Sequence, residues 1–119
     1  ILWYAPDQDY GPKLSVFVPF FGVEAATITA ASRLAAANNS VVIFYRHYRR
    51  PDNAGYLLDF SPPVDNYPSG DDVADAIRIN GIIEQAIRKH PEQYLWMHKR
   101  FKTQRAGKAA RPYKNYKDQ

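Results

Sequence analysis

Two carboxylates, Asp7 and Asp9, sit one residue apart in the stretch LWYAPDQDYGP, residues 2–12, between Pro6 and Pro12 and beside Gly11. Proline fixes φ, so the turn is stiff, and a stiff turn can aim a carboxylate at a sugar hydroxyl or a cation. The simpler alternative is an Asp-rich turn whose side chains bond their own backbone. A second pattern is His47-x4-Asp52. In acyl transfer, an acid at that spacing orients an imidazole that deprotonates a hydroxyl, provided both share a helical face. Here Pro51 and the following Asn-Ala-Gly put Asp52 in a turn, so the spacing reads as coincidence.

Asp71, Asp72 and Asp75 carry the oxygen chemistry for magnesium and a diphosphate. They also open a helix, where the dipole favours acids, and no second acidic cluster completes a metal site. His90 precedes Pro91 at a helix junction and reads as structural or solvated. His98 stands with Lys99, Arg100 and Lys102, and imidazole together with cations suits a phosphate. The chain has no His-Glu-x-x-His, phosphate-binding glycine loop, Gly-x-Ser-x-Gly or dinucleotide fingerprint.

The elements that must position these groups follow from periodicity. Residues 1–5 and 14–20 read as strands joined by the acidic turn, with Pro19 at the edge or end of the second. Residues 23–37, rich in Ala, read as a helix that stops at Asn38 and Asn39. Residues 41–48 and 56–60 form a hairpin signal with its tip at 52–55. After the loop SPPVDNYP, Ser69 and Asp72 read as a capping box. The helix it opens runs to about Lys89, with an apolar stripe of Val73, Ile77, Ile83 and Ile87 flanked by Ile79 and Ile82. Pro91 opens a short helix, PEQYLWMHKRF, and residues 106–119 form a basic tail without period. This order implies an α/β or α+β sheet covered by helices.

Bulk properties bound the function. With 119 residues, 45% of them hydrophobic, the chain can build one modest core. No window of about 18 consecutive apolar residues exists, so any membrane anchor lies outside this stretch. Zero cysteine removes disulfides, thiolate nucleophiles and Cys-type zinc sites. The net charge of +4 divides unevenly, with +7 over residues 98–119 and −3 over residues 1–97. A basic end of that kind suits phosphates, lipid headgroups or nucleic acid, and Tyr113 and Tyr116 add rings on which bases could stack. Ile1 opens inside a strand pattern without a cap or polar lead, which makes an amino-terminal truncation the expectation.

LWYAPDQDYGP, then VFVPFFGVEAAT, then Arg49-Arg50 before a Pro-Asp turn, then PEQYLWMHKRFKT, together resemble the carboxy-terminal part of the bacterial lipid A late acyltransferases. The resemblance covers residues 1–105 and implies the carboxy-terminal part of a glycerolipid-acyltransferase-like α/β fold, a mixed sheet packed by helices. It implies transfer of an acyl chain from acyl carrier protein to a hydroxyl of an acyl chain already on a lipid A precursor. The family's general base is a His with an acid four residues on, in a block upstream of the acidic turn. No catalytic residue is therefore expected in this chain, and the chain alone is expected to be inactive.

The resemblance assigns acceptor binding to Asp7, Asp9, Gly11, Arg49 and Arg50. Asp7 matches the acid of the block that shapes the acceptor pocket, Pro6 and Gly11 its turn, and the arginines would grip phosphates or acidic sugars bidentately. His98, Lys99, Arg100 and Lys102 match the closing signature, expected to face the headgroup, the anionic inner membrane at its cytoplasmic side, or acyl carrier protein. No cofactor, metal or nucleic acid is implied. Val42-Ile43 stands where the family tends to have Val-Pro, and the lysine-rich tail has no family counterpart. The rival reading is a non-enzymatic basic module that binds nucleic acid or anionic membrane.

Overall fold

A computed structural model describes residues 1–107 and 112–113. The elements run β1 (Ser15–Phe20), β2 (Val23–Ile28), α1 (Ala30–Ala37), β3 (Ile43–Arg49), β4 (Tyr56–Pro63) and α2 (Asp72–Lys89). Two single 3-10 turns, Pro91–Gln93 and Trp96–His98, follow α2. The α/β class read from the sequence is the class observed, and the strands pair as two antiparallel hairpins, β1 with β2 and β3 with β4.

Three expectations about which elements form change. Residues 1–5 form no strand; Ile1, Leu2 and Trp3 are exposed, because no neighbouring backbone among the described residues completes a ladder with them. Residues 23–37 are a strand and then a helix. Phe21 and Gly22 both have positive φ, 51° and 76°, and they join Phe20 directly to Val23 across a two-residue turn. That is the geometry whose twist matches antiparallel strands, so the chain turns back on itself at Gly22 before any helix begins. The helix proper starts after Thr29 and stops at Asn38 and Asn39 as expected, with Asn39 in the left-handed region at φ 47°. Third, the segment after Pro91 does not continue as one helix. Tyr94 is extended (ψ 141°) and Lys99 is left-handed, while the Trp96 indole N–H donates to the Pro91 carbonyl at 2.8 Å.

The hairpin β3–β4 turns at 52–55 as the sequence suggested. Asp52 accepts the Ala54 N–H there, and the Arg50 N–H closes on the Gly55 carbonyl at 2.9 Å. Side chains alternate along β3. One face carries Phe44, Arg46 and Tyr48 toward the rest of the chain, and the other leaves Ile43, Tyr45 and His47 exposed beside Phe60, Leu58 and Tyr56 of β4.

Helix α2 is the spine. Its cap is Asp71, two residues beyond Ser69, with Oδ1 accepting the Val73 and Ala74 N–H groups at 2.8 and 3.1 Å. Ser69 instead donates its N–H to both carboxylate oxygens of buried Asp75, and Asp72 pairs with Arg33 of α1 at 2.8 Å. The three acids thus organise the helix start, and no cluster of three metal-ligating side chains occurs among the described residues. The buried stripe is Ala76, Ile79, Asn80, Ile83 and Ile87, rotated from the one read in the sequence, for Val73 and Ile77 are about half exposed. Ile79, Ile83 and Ile87 close on Phe20 and Ala25, with Phe21, Phe44, Tyr67, Tyr94 and Phe101 packed around them. Each of those buried isoleucines contributes roughly 1.5–3 kcal/mol. No described helix is long and apolar enough to cross a membrane.

Candidate functional site: the acidic turn and the segment that covers it

The stretch from Pro6 to Pro12 is held by Asp9. Its side chain is 4% exposed, and its two oxygens point to different parts of the chain. Oδ1 accepts the Gly11 N–H at 2.9 Å, an Asx-type closure of the turn, and Oδ2 accepts the Thr103 N–H at 2.7 Å. Gly11 has φ 87°, a conformation that a side chain would strain, although nothing crowds the position. Asp9 and Gly11 therefore build the turn, and the turn is tied to the carboxy-terminal segment.

Asp7 is half-buried and arranged differently. Its carbonyl lies 3.2 Å from His98 Nε2. Among the described residues its carboxylate accepts no backbone hydrogen bond, in contrast with Asp9. The Asp7 carbonyl and the Tyr94 hydroxyl thus share His98 Nε2, the hydroxyl at 3.1 Å. Burial raises the Tyr94 phenol well above its ordinary value, and the neighbouring Asp7 charge adds to the effect. The Tyr94 ring is fixed edge-on against Trp96 and His98, with centroids 4.9 and 5.2 Å away.

Of the basic residues expected at the surface, Lys99 and Lys102 are exposed and His98 is half-buried. Arg100 is not at the surface: it is 3% exposed and turned into the core. Its guanidinium donates to the Ala26 carbonyl at 2.7 Å, to Thr27 Oγ1 at 2.8 Å and to Asn80 Oδ1 at 3.4 Å, and it lies over the Phe20 ring at 4.9 Å. This corrects the reading of Arg100 as a headgroup or carrier-protein contact. The two terminal nitrogens that suit a phosphate serve two strand residues and a helix instead, and the buried Nε has no partner among the described residues. Burial lowers the Arg100 pKa, opposed by Tyr94 and by the carboxylates of Asp9 and Asp7.

The structure brings Asp7, Asp9, Gly11 and His98 together and adds Tyr94, Thr103 and Arg100 as their supports. Arg49 and Arg50 lie elsewhere, at the turn end of β3. The backbone of Arg49 exchanges two hydrogen bonds with the Gln93 amide, and Arg50 pairs with Asp52 at 3.3 Å. No described contact links either arginine to the acidic turn. His47 lies between Tyr45 and Tyr56 on the outer face of its hairpin, and Asp52 is engaged with Arg50 and Ala54, so the His-x4-Asp spacing forms no dyad. His90 caps the end of α2, with its ring 4.5 Å from that of Tyr48 and Nδ1 3.4 Å from Glu92. The basic tail read at 106–119 lies largely outside the described residues; of its residues, Tyr113 accepts the Phe101 N–H at 3.0 Å through its hydroxyl. Tyr94 had one sequence signal, its spacing of four from His98. Thr103 had none, because it contributes only a backbone group.

Fold and site together define an α/β protein whose proline-bounded acidic turn is braced by its own carboxy-terminal segment. Residues 1–103 match the model of the bacterial lipid A biosynthesis acyltransferases, and the chain belongs to that family. It is 44% identical over 112 residues to the lipid A biosynthesis lauroyltransferase of Escherichia coli K12, covering 93% of this chain and 37% of that protein. It is 45% identical over 104 residues to a lipid A biosynthesis acyltransferase of Haemophilus influenzae, covering 86% and 33% respectively. To the E. coli K12 lipid A biosynthesis myristoyltransferase it is 35% identical over 112 residues, covering 94% and 34%. The chain thus spans about a third of the length of the curated relatives it matches.

Proposed function

We propose that this chain is the carboxy-terminal third of an acyltransferase of lipopolysaccharide biosynthesis, and that its acidic turn holds the acceptor, a lipid A precursor. In the intact enzyme, a His/acid dyad encoded upstream removes the proton from a hydroxyl on an acyl chain of that precursor. The alkoxide attacks the thioester of acyl carrier protein, and the thiolate leaves. This chain supplies positioning, and alone it is inactive. Lys99 and Lys102, exposed on the same segment that covers the turn, face the anionic headgroups of the cytoplasmic leaflet or the acidic carrier protein. Each such cation is worth on the order of 1 kcal/mol near an anionic surface.

The observation that carries the reading is the contrast between the two acids of the turn. Asp9 spends both oxygens on the backbone, whereas the Asp7 carboxylate, a half-buried acceptor group on a stiff turn, remains available to a hydroxyl. The relatives act in lipid A biosynthesis, and a sugar-based lipid offers hydroxyls to such a carboxylate. The test is acyl transfer from acyl carrier protein to a lipid A precursor by the intact enzyme carrying Asp7→Ala. Acceptor binding and turnover fall while the melting temperature holds. Full turnover with unchanged acceptor affinity would sink the reading, and so would transfer by the purified 119-residue chain.

A further inference from the structure

We infer that the outer face of the β3–β4 hairpin is an internal interface of the intact enzyme, covered by polypeptide that precedes Ile1 in the longer protein. This rests on the reading of the chain as the carboxy-terminal third of that protein.

The face is built by strand alternation. Tyr45 stands opposite Phe60, His47 opposite Leu58 and Arg49 opposite Tyr56, and residues paired in this way share one side of the hairpin. The rings lie together: Tyr45 is 5.8 Å from Phe60 and 6.3 Å from His47, and His47 is 6.2 Å from Tyr56, centroid to centroid. Tyr56, Leu58 and Phe60 are each more than half exposed. Contiguous apolar surface of this kind marks an interaction site. The hairpin also needs one for its own stability. Each of its strands has a single hydrogen-bonded neighbour among the described residues, and a two-stranded hairpin alone is marginal in water.

Three observations choose the occupant. The match covers 37% of the E. coli lauroyltransferase and 33% of the H. influenzae acyltransferase, so the greater part of each relative has no counterpart here and is free to supply a covering layer. The amino-terminal residues already lie on this face, for the Trp3 indole N–H donates to the Tyr45 hydroxyl at 2.9 Å, and Leu2 and Ile1 stand exposed next in the chain. Polypeptide that precedes them therefore departs from the surface it is to cover. Last, the six residues of the face include no lysine, no acid and one arginine, Arg49, at the turn end. A surface that docks on an anionic leaflet gathers cations, and this one suits apolar protein instead. The arrangement has a use for the site. Trp3 is four residues from Asp7, and four residues of extended chain span at most about 14 Å, so whatever seats on the hairpin is held close to the acidic turn.

The experiment labels the intact enzyme with a water-soluble maleimide at cysteines introduced one at a time, any cysteine outside this chain having been replaced. Leu58→Cys probes the centre of the face, and Ala54→Cys, at the exposed hairpin tip, is the reference. In the native enzyme Leu58→Cys reacts more slowly than Ala54→Cys by about tenfold or more, because the label must wait for a local opening, and in urea the two react alike. The ratio holds on dilution of the protein and with or without phosphatidylglycerol vesicles, and a photo-crosslinker carried at Leu58→Cys joins polypeptide upstream of Ile1. If Leu58→Cys melts early, Tyr56→Cys on the same face carries the test. Equal native rates, protection lost on dilution, as a second copy would give, or protection that requires vesicles, as a bilayer would give, overturns this inference and spares the carboxy-terminal reading. Crosslinks only to polypeptide beyond Gln119 overturn both.

Discussion

The guanidinium of Arg100 lies 2.8 Å from Thr27 Oγ1, and the Asn80 amide lies 3.0 Å from the same oxygen. One threonine hydroxyl on β2 thus joins the covering segment to the long helix. Asn80 also donates to the Pro19 carbonyl at 2.8 Å, so the polar group reaches across the β1–β2 hairpin. Buried polar groups of this kind are tolerated only when they are bonded, and here most are.

Arg100→Ala should therefore cost roughly 2–4 kcal/mol in the intact protein, because it strands the Ala26 carbonyl and Asn80 Oδ1 in the core. Arg100→Lys should recover only part of this, an ammonium being unable to span three acceptors from a fixed plane. Urea denaturation of both variants checks the order, and a double-mutant cycle with Asn80→Ala should show non-additivity of more than about 0.5 kcal/mol.

Asp9→Asn keeps an oxygen for one of the two N–H groups but sets an amide NH2 against the other. The expected loss is about 1–3 kcal/mol of stability, together with acyl transfer, through the displaced turn. Asp7→Ala should lose transfer without the stability. Paired melting and activity measurements on the two variants separate the structural acid from the available one.

Stability should fall above pH 10. Tyr67 is pushed up to about 12, mainly by burial and then by the Asp75 charge, and Tyr94 is raised for the corresponding reasons. A tyrosine raised in the fold holds its proton where the unfolded chain has released it. Its contribution is complete below about pH 10 and is lost as the pH climbs through the folded value. Denaturant midpoints taken between pH 9 and 12 should decline, and Tyr67→Phe should flatten that decline.

Gly22→Val should destabilise the β1–β2 hairpin by about 1–2 kcal/mol, purely through its φ of 76°, since no atom stands within 4 Å of the added Cβ. Gly22→Asn should be milder, as asparagine tolerates the left-handed region. Thermal unfolding of the two variants ranks them. The adjoining Phe21 N–H, bonded to Glu84 at 2.7 Å, gives an independent check, because Glu84→Gln should weaken the same turn from the helix side.

What the sequence disclosed followed from local chemistry. The stop at Asn38 and Asn39, the tip at 52–55 and the long helix to Lys89 all rest on signals within a few residues. The Phe21-Gly22 turn was also a local signal, overlooked because the alanines after it suggested a helix. The stripe on α2 shares Ile79, Ile83 and Ile87 with the sequence reading but is rotated away from Val73 and Ile77, because a buried Asn80 is invisible to an apolar count. Arg100 was read as surface from the cations around it, when the partners that bury it lie at least 20 positions away. Asp7 was legible as a candidate from Pro6 and Gly11, but His98 reaches it across about 90 residues of intervening chain, and no spacing rule encodes that.

The bond from Asp9 to Thr103 spans 94 positions, which sets an order in time as well as in space. During synthesis the acidic turn is among the first parts of this chain to be made, and the group that satisfies its second oxygen is among the last. Until Thr103 emerges, the loop that joins them cannot close, and the turn has only its local closure from Asp9 to Gly11. A ribosome stalled, or a message cut short, before that residue would yield a polypeptide with every hairpin and helix encoded and the second oxygen of Asp9 still without its partner.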